Sequence, residues 1–85
     1  MSSSNQPTNE ARARWAKEAL AVFTATTFNG DHPNAMNGLD LECAIGDLVC
    51  DLLHHARQQE LDPRSILQQA CNHFAFELAE EGQRT

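Results

Sequence analysis

Asp47, Asp51 and His54 follow one another at spacings of four and three residues. On an α-helix that spacing stands side chains above one another along one ridge. Two carboxylates and an imidazole are oxygen and nitrogen donors of the kind a divalent cation takes. His73 and Glu77 form a second such pair, at i and i+4, further along the chain. Helical bundles build metal sites from donors of this type on facing helices. The five residues are therefore the candidate ligands of a divalent metal, Mg²⁺ or Mn²⁺ before Zn²⁺. Against this stands the ease with which acid–histidine pairs arise on solvated helix faces. Cys50 and His54 also make a thiolate–imidazole pair. Zinc needs a four-ligand set, however, and a nucleophile needs a base, an orienting group and oxyanion donors. A thiol packed in a helix interface accounts for Cys50 as well, and no catalytic residue is assigned.

The first ridge lies in the stretch Leu41 to Gln59. Ile45, Leu48, Val49, Leu52, Leu53 and Ala56 recur there at i, i+3, i+4, i+7, i+8 and i+11, one apolar stripe of a helix. Cys43, Asp47, Cys50, Asp51 and His54 fall on the other side. Free cysteine is among the most buried residue types, so this side too is expected to be covered, by a second subunit. Asp40 is the expected cap, with Glu42 in the first turn. An earlier helix starts at Thr8 or Asn9 and stops at Asn29-Gly30. Trp15, Ala19, Val22, Phe23 and Thr26 share its face, Ala16 and Leu20 flank it, and Trp15 is the expected core anchor. Asn29 to Gly38 reads as a surface connector whose His32 and Met36 have no evident partner. Asp62 followed by Pro63 is a strong helix start. Beyond it Ile66, Leu67, Ala70, Cys71, Phe74 and Leu78 form an apolar face, with Phe76 pointing away. The pattern predicts an all-α fold, a three-helix antiparallel bundle with helices at about 9–28, 40–60 and 63–81, completed by dimerisation. Residues 1–7 read as a disordered tail, 8–82 as one helical domain and 83–85 as a disordered end.

Eighty-five residues is a short chain, and one of that length buries only about 60–65% of its unfolded surface. Its three cysteines are an odd number, and Cys43 and Cys50 stand roughly 10 Å apart along one helix, beyond disulfide reach. Free thiols point to a reducing, cytoplasmic setting, and the remaining support is a second copy of the chain. Twelve acids against six bases give a net charge of −6, which argues against a grip on nucleic-acid phosphates. The start MSSSNQPTNE lacks the features of a secretory signal, and no apolar run reaches the ~18 residues of a membrane span. The composition fits a small acidic cytosolic helical protein that acts by association, as a homodimer with room for a further protein partner.

Ala44 to Leu78 resembles the second half of a MazG-like domain, on Ile45-Gly46-Asp47-Leu48, Leu61-Asp62-Pro63 and Ala70-Cys71-Asn72-His73-Phe74. That resemblance implies an all-α nucleotide pyrophosphohydrolase that uses Mg²⁺. It carries Asp47 over as a metal ligand and Asn72 as a nucleotide-side residue. Ala44 stands where the family's ExxD glutamate would be, and the preceding helix has no ExxE. The chain is also similar to short helical proteins of bacterial chromosomes and mobile elements with a DLxxDLxH segment and a later HFxxE. Asp47, Asp51, His54, His73 and Glu77 match that pattern, which implies no activity.

Overall fold

The computed structural model describes residues 7–83. Residues 1–6 and 84–85, which hold most of the two expected tails, lie outside them. Among the described residues all regular structure is helical: α1 (Asn9–Thr27), a 3₁₀ turn (Pro33–Ala35), α2 (Gly38–Gln58) and α3 (Pro63–Gly82). The three helices thus fall where the apolar periods and caps put them. Their contacts group into two units, one ending at Val49 and one beginning at Cys50, so α2 contributes to both.

Each helix end has a side-chain or backbone device. Thr8 caps α1, its hydroxyl oxygen accepting the Ala11 N–H at 3.0 Å. The chain leaves α1 through Asn29 and Gly30, at φ 53° and 84°. These residue types tolerate the left-handed region best. At α2 the cap is Asn37, not Asp40: the Asn37 side-chain oxygen accepts the Asp40 N–H at 2.8 Å. The helix therefore begins two residues earlier than expected, and Asp40 lies in its first turn, where negative charge faces the open N–H groups. Asp62 caps α3 by accepting the Arg64 N–H at 3.1 Å, with Pro63 opening the helix.

The close of α2 is a Schellman turn. The Leu61 N–H donates to the Ala56 carbonyl at 2.9 Å and the Glu60 N–H to the Arg57 carbonyl at 3.0 Å. Glu60 occupies the left-handed position, at φ 63°, where glycine is usual because a Cβ crowds the carbonyl.

In the first unit Leu20, Thr24, Pro33 and Ala44 are buried. The Thr24 hydroxyl donates to the Ala21 carbonyl at 3.3 Å, so its burial leaves no orphaned donor. Two expectations change here. Trp15 is not a core anchor: it is 56% exposed and Val22 73% exposed, while Leu20, placed on the flank, is inside. On a helix of 3.6 residues per turn the Leu20–Thr24 line lies more than a quarter-turn from the Trp15–Val22 line. Alanines spread around α1 leave both lines apolar enough to serve. The segment after α1 is also more than a surface connector. His32 caps the 3₁₀ turn, its Nδ1 accepting the Asn34 N–H at 3.1 Å, and Pro33 is buried where α1 meets that turn.

In the second unit Ala56 is buried and Leu53, Pro63 and Glu77 are half-buried. No residue of α3 is buried. Relief of the left-handed strain gives a direct test: Glu60→Gly should raise unfolding free energy by about 0.5–1 kcal/mol, read as a higher urea midpoint. An unchanged or lower midpoint would show that Glu60 carries no such strain.

Candidate functional site

Asp47, Asp51 and His54 are exposed on α2, Asp47 in the first unit and the other two in the second. On α3, His73 is exposed and Glu77 half-buried. Helical spacing holds Asp47 beside Asp51, Asp51 beside His54, and His73 beside Glu77, with Cβ atoms about 5–6 Å apart in each pair. Among the described residues, no three His, Cys, Asp or Glu side chains gather closely enough to hold a metal ion. Asn72, the nucleotide-side residue of the MazG-like pattern, accepts a hydrogen bond from the Gln68 side-chain amide at 3.1 Å.

In the first unit the covered line of α2 runs along one edge of the apolar stripe, of which Leu48 and Leu53 are half-buried and Ala56 buried. Ala44 is 0% exposed, and Leu41 and Leu48, on its line at i−3 and i+4, are half-buried. The middle of the stripe, Ile45, Val49 and Leu52, stays exposed. Ala44 lies one residue, roughly 100°, around the helix from Ile45. A methyl group at that point lets other chain atoms pack directly against the helix, as a larger side chain would not. Asp51 continues the Ala44–Leu48 line into the second unit, so the acidic ridge adjoins the covered flank. The one signal of this in the sequence is the small residue at position 44, and periodicity gives it no weight beside the larger residues of the stripe.

Cys43, Cys50 and Cys71 are free and exposed. The cover expected over Cys43 and Cys50 is thus not supplied within one chain. No helix of the described residues is long and apolar enough to cross a membrane. Compared with protein-family models, curated proteins and solved structures, the chain matches none.

The buried methyl of Ala44 is testable. Ala44→Glu places a carboxylate in a closed position. It should cost on the order of 3 kcal/mol of stability in urea unfolding. A variant as stable as the parent would mean that position 44 is open to solvent.

Proposed function

We propose that this chain acts by association, as a small helical protein whose working form contains a second copy of itself. The observation that carries this reading is α3, twenty residues long with none of them buried. Phe74 and Phe76 are each 65% exposed, Leu78 is 53% exposed, and Ile66 and Leu67 are open as well. In a folded protein most helical stability comes from packing an apolar face rather than from the helix itself. Covering one large apolar side chain contributes about 1.5–3 kcal/mol. A partner over α3 turns a marginal helix into a stable one, and isolated surface apolar residues do not explain a row of them along one helix. The three free thiols suit a compartment in which they stay reduced, such as the cytoplasm. The excess of acids leaves a basic protein surface as a further partner and disfavours direct nucleic-acid binding.

Sedimentation equilibrium at micromolar concentration is expected to give a dimer. Phe74→Glu together with Leu78→Glu should return it to a monomer and lower its helical signal. A parent chain that sediments as a monomer would contradict the reading.

The second reading is a reduced MazG-like nucleotide pyrophosphohydrolase dependent on a divalent metal. Its support is the match of residues 44–78 to that pattern and the solvent access of Asp47 and Asp51 on one ridge. Pyrophosphate release from nucleoside triphosphates with Mg²⁺ or Mn²⁺, above the level of an Asp47→Ala control, is the result this reading requires. Equal rates for the two chains would remove it.

A further inference from the structure

Two exposed seams in different parts of the chain have the same geometry. On α1, Trp15, Ala19, Val22 and Thr26 are spaced four, three and four residues apart, and all are exposed. On α3, Leu67, Cys71, Phe74 and Leu78 are spaced four, three and four residues apart, and all are exposed. Alternating steps of four and three residues keep a seam on one side of a helix and suit knobs-into-holes packing. The spacing reads the same in both directions. In an antiparallel pair it brings Trp15 level with Leu78, Ala19 with Phe74, Val22 with Cys71 and Thr26 with Leu67. Small then faces large at the two inner levels, which is what interdigitation needs.

Charge selects the antiparallel direction. Arg12, Arg14 and Lys17, half of the chain's six bases, lie in the first half of α1. Glu77, Glu80 and Glu81 lie in the last turns of α3, whose first turns carry Arg64. Antiparallel alignment sets Arg12 level with Glu81 and Lys17 beside Glu77. Parallel alignment sets Arg12 level with Arg64 and Lys17 level with Gln69.

Building on the proposed association, we infer that α1 of one copy docks antiparallel on α3 of another, with Val22 against the partner's Cys71. Where the contact is made twice about a two-fold axis, α1 on α3 and α3 on α1, it closes at two copies. Trp15, Val22, Leu67, Phe74 and Leu78 together present roughly 600 Å² of open surface per chain, near the ~800 Å² per partner of a standard interface.

Disulfide trapping tests the register. One chain carries Val22→Cys with Cys43, Cys50 and Cys71 all changed to Ser. The other keeps Cys71 and has Cys43→Ser and Cys50→Ser. The two are mixed, oxidised with diamide and run on a non-reducing gel. A product at the mass of two chains is expected, with position 22 joined to Cys71 in its peptide map. The same design with Ala21→Cys, about 100° around the helix, should not link. Dimers by sedimentation with no 22–71 linkage would overturn this docking while leaving the association intact. Linkage only when both thiols sit in one chain would overturn it too, and monomers throughout would overturn both. An unmodified-thiol variant gives an independent readout. Arg12→Glu should weaken dimerisation about tenfold, and adding Glu81→Arg should restore it. Failure of that rescue would count against the register.

Discussion

A helix can be no more stable than the surface that covers it. That constraint governs this chain. Caps and turns are well made: Thr8, Asn37 and Asp62 each satisfy an N-terminal donor, and a Schellman turn closes α2. Such devices contribute about 1 kcal/mol apiece, too little to set against the cost of ordering twenty residues of α3. Within one chain the buried apolar side chains of the helices are Leu20, Ala44 and Ala56. Two of the three are alanines, which bury little area. Many of the larger apolar side chains, Trp15, Val22, Ile45, Leu52, Phe74 and Leu78 among them, are exposed.

Local chemistry was the part most legible from residue types. The Asp62-Pro63 start, the Asn29-Gly30 stop and the helical period of α2 all appear in the structure at their expected places, because each depends on a few neighbouring residues. Which face of a helix is covered depends on other segments, and there the reading from sequence fails. Trp15 carries more apolar area than Leu20, yet Leu20 is inside. Ile45, Val49 and Leu52 outweigh Ala44, yet Ala44 is the residue closed to solvent. In both helices a smaller side chain takes the close-packed position and the bulky ones remain available.

The same division applies to the candidate metal ligands. Helical spacing places Asp47, Asp51 and His54 on one ridge and pairs His73 with Glu77, and this much follows from sequence alone. Whether ridge and pair face each other depends on packing outside the helices themselves. The described residues of one chain do not assemble three donors. Under the proposed association the question of ligands becomes secondary to the question of partners.

The dependence of stability on protein concentration addresses this account most directly. Unfolding in urea, followed by helical circular dichroism over a hundredfold range of dilution, separates a chain that is stable alone from one completed by its copy. If folding and association are linked, the midpoint rises with concentration, since mass action favours the associated form. A midpoint that stays constant across that range, with α3 fully helical at the lowest concentration, would contradict the account.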